Sequence, residues 1–427
     1  MVCLKAVFYS LFLYNFNFKQ KQRQYFCLMQ ENNQSKLEFI ALMASLMSLV
    51  ALSIDALLPA LEHIGISINV QESSNDSQLL VTMIFLGLGF GQLTSGPISD
   101  TLGRKPVIYG GFVLFVIASF ICVSATSLEM MVVGRILQGI GLSAPRTISI
   151  AMVRDSFSGN YMAKIMSFIV VIFILVPVVA PALGKIMLDA YGWKSIFYSQ
   201  LIFGVLVMFW LWKRQPETLK EENRIKFSFG LFSDGLKEFI KYKQATVFTI
   251  ISGFITGSFM VYLSASQQIF QEQYLLVDEF PFIFAGLAIS VGFATFLNGS
   301  FVMKFGMHKL VSFFLIVFTL VPLIYVALFY QKENPSITIL LVFFALQFFS
   351  IGFLFGNLRA LAMQPVGHIA GIGAAINGFV STIMAVPIAT VIGRFVSTTT
   401  LPLFIGFFIC GALSLALVNL TKLKQAN

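Results

Sequence analysis

Apolar residues in this chain run in long blocks and do not alternate with polar ones. Twelve such blocks follow one another, at 38–61, 79–99, 106–125, 129–153, 163–188, 193–212, 245–270, 281–303, 309–330, 336–360, 369–394 and 400–420. Each approaches or exceeds the roughly 20 residues that a helix needs to cross a bilayer. A helix is forced there, because lipid offers no water to satisfy backbone amides and carbonyls. Polar residues gather in short groups between the blocks. The longest and most charged group covers 213–244 and opens with Lys213, Arg214, Glu217, Lys220, Glu221, Glu222, Arg224 and Lys226. The pattern predicts an all-α integral membrane protein with a six-helix bundle over 37–212, a linker over 213–244 and a second six-helix bundle over 245–420. Tails flank these at 1–36 and 421–427. Within the linker, Leu231 to Tyr242 has the amphipathic pattern of a helix lying on the membrane surface. In the first tail, Ala6 to Phe16 is too short to span and lacks a cleavage site, so it reads as a loose or interfacial segment, or as an over-long start ahead of Met29.

One polar interruption occurs twice. Gly96 to Val107 stands between the second and third blocks, with Gly96, Asp100, Gly103, Arg104 and Lys105 in close succession. Gly299 to Leu310 stands between the eighth and ninth, with Gly299, Met303, Gly306 and Lys309 in the same frame. The glycines keep their spacing and a base follows in both, but the acid Asp100 becomes Met303. Two such turns at equivalent places imply one unit written twice, hence two pseudo-symmetric halves.

Composition removes several classes of function. At 57% hydrophobic and 11% charged the chain is no water-soluble domain. The net charge of +9 comes from bases scattered between apolar blocks, which is a topology signal and not a nucleic-acid face. Placing both termini on one side assigns most of the 28 Lys and Arg to that side, while Lys185, Lys194, Lys332 and Arg394 fall opposite. The positive-inside rule therefore puts both termini in the cytoplasm. No phosphate-binding G-x-x-x-x-G-K-[ST] loop and no G-x-S-x-G elbow occurs, and His63, His308 and His368 stand apart from one another. Cys122 and Cys410 lie in apolar blocks and read as small buried residues, and Cys3 and Cys27 show no metal or pairing spacing. Nothing points to an enzyme, a metal or a cofactor.

Against this background, charges inside the blocks carry the chemistry. Asp55 lies in the first block and Arg135 in the fourth, both about 9 Å below the outer face at 1.5 Å per residue. A carboxylate at such depth costs about 2.5–3.5 kcal/mol or more, so it must face a bundle interior or a water-filled cavity. The two can pair or share water, either as a static ion pair that fixes packing or as a proton or substrate site. Arg146 lies three turns from Arg135 on the same helix face, with Gln138 close by; it either serves the cavity or snorkels to headgroups. Pro177 and Pro181 remove hydrogen bonds from the fifth helix and should bend it near Gly184, and the eleventh block repeats this with Pro387 and Gly393. Gly87, Gly89, Gly91, Ser95, Gly139, Gly141 and Ser143 read as close helix packing. The second half carries polar cavity candidates but no mid-membrane charge: Tyr262, Gln267, Asn298, Gln347 and Asn377.

The arrangement resembles the major facilitator superfamily. Gly96 to Val107 is similar to that superfamily's signature between the second and third helices, and Gly134 to Gly141 to its fourth-helix signature. Ser53 to Leu61, Ala144 to Arg146, Val153 to Asp155 and Pro177 to Gly184 look like the Bcr/CflA-type drug:proton antiporters. The fifth-helix antiporter signature departs here, since Ala180-Pro181 and Gly184-Lys185 replace its Gly-Pro and Gly-Gly. The resemblance implies a monomer in a bacterial inner membrane that exports hydrophobic or cationic drug-like molecules in exchange for protons. The proton gradient, and no cofactor, would be its energy source. In that reading Asp55 takes the proton and Arg135 tunes it. Asp100 latches the halves by reaching a helix N-terminus near Gly367 to Gly371. A proton symporter importing a nutrient is the alternative within transport, and a receptor or channel the alternative outside it.

Overall fold

The computed structural model describes residues 35–70, 75–157, 159–224 and 229–420. The tail expected over 1–36 lies outside the described residues up to residue 34, as do the tail 421–427 and Lys226 of the linker. Among the described residues every regular element is helical. The α-helices are α1 (Lys36–Asp55), α2 (Leu61–Ser67), α3 (Leu79–Leu102), α4 (Arg104–Val123), α5 (Leu128–Ser156), α6 (Gly159–Tyr191), α7 (Lys194–Arg214), α8 (Phe229–Lys241), α9 (Lys243–Gln267), α10 (Phe280–Phe305), α11 (Met307–Phe329), α12 (Ile337–Met363), α13 (Ala370–Gly393) and α14 (Leu401–Leu420). Among the described residues, eleven helical runs are long and apolar enough to cross a membrane, with α1 and α2 joined in one run from Lys36 to Ser67. Helix α6, of 33 residues, covers the remaining expected span at 163–188 and continues through Pro177 and Pro181.

Local sequence explains where the helices start and stop. The Oγ atoms of Ser35 and Ser127 accept from the backbone of Glu38 (3.1 Å) and Met130 (3.3 Å), capping α1 and α5. At the duplicated turns Gly103 (φ +105°) and Gly306 (φ +80°) each end one helix and begin the next. That sharp reversal needs a positive φ, which is why glycine recurs at both.

The first span departs from the single helix expected over 38–61. Its α-helix ends at Asp55, a 3₁₀ turn follows at Leu58–Ala60, and α2 carries the run on to Ser67. Pro59 is the cause. It has no N–H to give the Asp55 carbonyl four residues back, and its ring clashes there.

In the first half α5 packs against both α3 and α4. A Cβ at Gly139 would stand 2.1 Å from the Ile84 carbonyl oxygen, and one at Gly141 2.5 Å from that of Gly111, so only glycine permits these approaches. The second half repeats the pairings. α12 packs on α10 and α11 as α5 does on α3 and α4, and α9 meets α13 as α1 meets α6. The halves touch where α3 lies along α13 and, equivalently, where α10 lies along α6.

Helix α8 does not present its apolar face to a membrane surface. Gly235 sits against Ile372, and Phe239 is buried with Ala245, Val366 and Ile376, so the second half covers that face. Cys122 and Cys410 are buried free thiols.

Candidate transport site

Asp55 sits at the helix break and is only 5% exposed. Among the described residues its carboxyl has no ion-pair or hydrogen-bond partner that would neutralise the charged form. Across the seam, the Leu58–Ala60 turn touches α9, and the carboxyl of Asp55 lies within electrostatic reach of the Tyr262 hydroxyl. The Tyr262 hydroxyl and Ser53 Oγ are both buried without a hydrogen-bond partner among the described residues. Aromatic rings of Phe259, Phe270, Phe284, Phe344 and Phe348 surround Tyr262 at centroid distances from 4.5 to 6.5 Å. An isolated carboxyl in such a dry setting exchanges a proton more readily than it keeps a bare charge.

Arg135 does not pair with Asp55, contrary to the sequence expectation. Its guanidinium is fully buried and spends its donors elsewhere: Nε to the Leu80 carbonyl (2.8 Å), Nη2 to the Ser53 carbonyl (3.1 Å) and Nη1 to Gln138 Oε1 (2.8 Å). The helix break explains the choice. In a regular helix Ser53 would accept from Leu57, but the Leu57 amide has turned to Ile54 (3.3 Å), which frees the Ser53 carbonyl for Arg135. Arg135 thus ties α1, α3 and α5 together beside Asp55. Gln138 passes the contact on to Ser119 Oγ at 2.8 Å.

The second-half candidates split. Asn377 donates to Thr249 Oγ1 (2.7 Å) and Asn298 to Asn357 (3.5 Å), so both join neighbouring helices. Gln347 donates to the Phe318 carbonyl (3.2 Å) and keeps a buried Oε1 without a partner. Gln267 donates to Glu272 at 3.2 Å. Gly184 serves a close approach: a Cβ there would stand 1.9 Å from the carbonyl oxygen of Ala56, next to Asp55.

At the first duplicated turn, Asp100 does not reach Gly367 to Gly371. Its carboxylate accepts from Arg104 Nη1 (2.5 Å), and Arg104 Nε donates to Asp155 (2.8 Å). The carboxylate of Glu217 caps the start of α4, accepting from the backbone of Arg104 (3.0 Å) and Lys105 (2.9 Å). Lys105 Nζ donates to the Gln215 carbonyl at 2.6 Å. The cluster therefore staples α3, α4, α5 and the linker of one half. The contact near Gly371 comes from Arg154, whose Nη1 lies 3.9 Å from where a Cβ on that glycine would stand. Gly96 has nothing within 4 Å of such a Cβ, so no close approach demands it. Removing Arg104, which is 2% exposed, leaves Asp100 and Asp155 without their base, although Thr218 Oγ1 still donates to Asp155 (3.2 Å). Arg104→Gln should cost about 2–3 kcal/mol and lower the unfolding midpoint of the purified protein in detergent. An unchanged midpoint would show that the staple contributes nothing.

Sequence reasoning passed over Glu217 as one charge among many in the linker, and Asp155 as part of a resemblance without a role. It also gave no role to Arg359, which lies inside α12, within electrostatic reach of Arg146 on α5.

Paired six-helix arrangements that touch along two equivalent seams, with one unpaired carboxyl at a helix break between them, define a secondary transporter fold. The profile of the Major Facilitator Superfamily matches residues 40–387, and the chain belongs to that family. It is 29% identical over 398 residues to the uncharacterized MFS-type transporter YdgK of Bacillus subtilis, covering 91% of this chain and 96% of the relative. It is 31% identical over 277 residues to the bicyclomycin resistance protein homolog of Haemophilus influenzae, covering 64% and 69%. Among solved structures, a D-xylose-proton symporter superposes with a TM-score of 0.66 at 17% identity, covering 90% of this chain and 96% of that one, which reflects the shared fold.

Proposed function

We propose that this transporter exports drug-like small molecules with an apolar body, in exchange for protons, across a bacterial plasma membrane. The observation that carries this reading is Asp55: a lone, buried carboxyl at a helix break, facing Tyr262 across the seam between halves. The resistance name of the 31% identical relative supports export of drugs.

In this mechanism Asp55 is protonated from the outside while the cleft opens outward. The neutral acid tolerates burial as the halves rock and close. On the cytoplasmic side a substrate with an apolar body enters against the aromatic cluster and the proton leaves, and the charged acid then favours the return. The Pro59 break lets α1 adjust at Asp55 without unwinding the rest of the helix, and Arg135 holds the freed Ser53 carbonyl. Moving one proton down 100 mV supplies about 2.3 kcal/mol, enough to sustain a gradient of roughly fortyfold.

The test uses everted vesicles made acid inside, with bicyclomycin, ethidium and the anion naphthalene-2-sulfonate as probes. Export predicts that adding a transported probe partly dissipates the pH gradient as protons leave the lumen. A deepening of the gradient marks symport and overturns the export reading.

A further inference from the structure

The two halves carry a matched pair of arginines that the proton mechanism does not use. In the first half, a Cβ on Gly139 would strike the Ile84 carbonyl oxygen and the Leu88 amide nitrogen, one turn apart on α3. In the second half, a Cβ on Gly352 would meet the Val291 carbonyl oxygen and the Thr295 amide nitrogen, one turn apart on α10. These glycines are therefore equivalent in the duplicated fold. Arg146 follows Gly139, and Arg359 follows Gly352, by the same number of residues, about two turns. The two guanidiniums occupy corresponding places on α5 and α12, and Arg146 lies within electrostatic reach of Arg359.

No acid answers them. Among the described residues neither guanidinium forms an ion pair or a hydrogen bond. Arg146 is half-buried and Arg359 exposed, so the space between them is reachable. A base held at depth in a membrane protein ordinarily finds a carboxylate or a carbonyl, as Arg135 and Arg104 do here. Two bases within electrostatic reach of each other, with neither, are arranged for an anion brought from outside. Apolar surface leads away from them: Phe355 stands one turn before Arg359, its ring 5.7 Å from Phe259, which is 6.3 Å from Tyr262.

We propose that Arg146 and Arg359 together bind the anionic group, a carboxylate, sulfonate or phosphate, of an organic substrate whose apolar body lies along Phe355 and Phe259. This assignment rests on the transporter reading above and narrows its substrate class to amphipathic organic anions. Because one group bridges both halves, its binding also draws them together.

Naphthalene-2-sulfonate and the neutral naphthalene-2-sulfonamide share a ring system and test the proposal by calorimetric titration of the purified full chain. The wild-type protein should bind the sulfonate about tenfold more tightly or better, the worth of a charge-assisted contact. Arg146→Gln and Arg359→Gln should each bring the sulfonate down to the sulfonamide's level, with little further loss in the double variant. Arg146→Lys and Arg359→Lys should recover part of the preference. Equal affinity of the wild-type chain for the two probes overturns the proposal without any variant having to fold. In proteoliposomes, counterflow of the sulfonate marks it as cargo. Binding that phosphatidylglycerol displaces, without counterflow, makes the pair a lipid headgroup site and overturns the substrate assignment. Equilibrium binding needs no proton gradient, so a failure of proton-linked export leaves this result readable.

Discussion

Asp55→Asn should leave a folded, inserted protein that exchanges substrate but no longer draws on the proton gradient. Asparagine has nearly the shape of aspartic acid and resembles its protonated form, and the Asp55 carboxyl has no partner among the described residues to lose. The unfolding midpoint should therefore stay level or rise, since a buried group that can ionise has been replaced by one that cannot. Accumulation is where the effect is large. Wild-type vesicles should concentrate a substrate by up to roughly fortyfold at 100 mV, whereas the variant should only equilibrate it. Counterflow, which needs no net proton movement, should persist. Gradient-driven accumulation at the wild-type level would remove Asp55 from the mechanism.

Gly184→Ala should cost most of the folded protein. The added Cβ would stand 1.9 Å from the Ala56 carbonyl oxygen, 2.8 Å from its carbon and 3.0 Å from its Cα, all backbone atoms that no rotamer change can clear. Either α6 or the segment next to Asp55 must move, and overpacking of this kind costs about 1–3 kcal/mol, occasionally more. Gly110→Ala is the control, because a Cβ there meets nothing within 4 Å and alanine favours the helix. Size-exclusion profiles of the two variants after extraction should diverge, with Gly184→Ala mostly aggregated and Gly110→Ala like the wild type. Similar profiles would mean that the two helices part easily.

Much of this architecture was legible in the sequence, because a bilayer leaves a hydrophobic block few options. The duplicated turn was readable for the same kind of reason: Gly103 and Gly306 both need a positive φ, so both had to be glycine. Asp55 stood out because a carboxyl in an apolar block is costly and rare. What the sequence hid is which donor meets which acceptor. Arg135 and Asp55 share a layer, yet the partner of Arg135 is a backbone carbonyl exposed by a break that Pro59 makes, and carbonyls leave no mark in a residue pattern. Asp100 was matched to the far half on placement alone, whereas a base four residues on, across the Gly103 reversal, was nearer. Glu217 is remote in sequence from the helix it caps, and Arg359 acquires meaning only when the halves are laid over each other.

The central claim is that substrate and proton alternate at Asp55. The most direct measurement takes the purified protein in weakly buffered detergent solution with a pH indicator, and adds a compound already shown to dissipate the vesicle pH gradient. Wild-type protein should release protons as the compound binds, and Asp55→Asn should bind it with no release. Equal release from both proteins, or none from the wild type, would contradict the account.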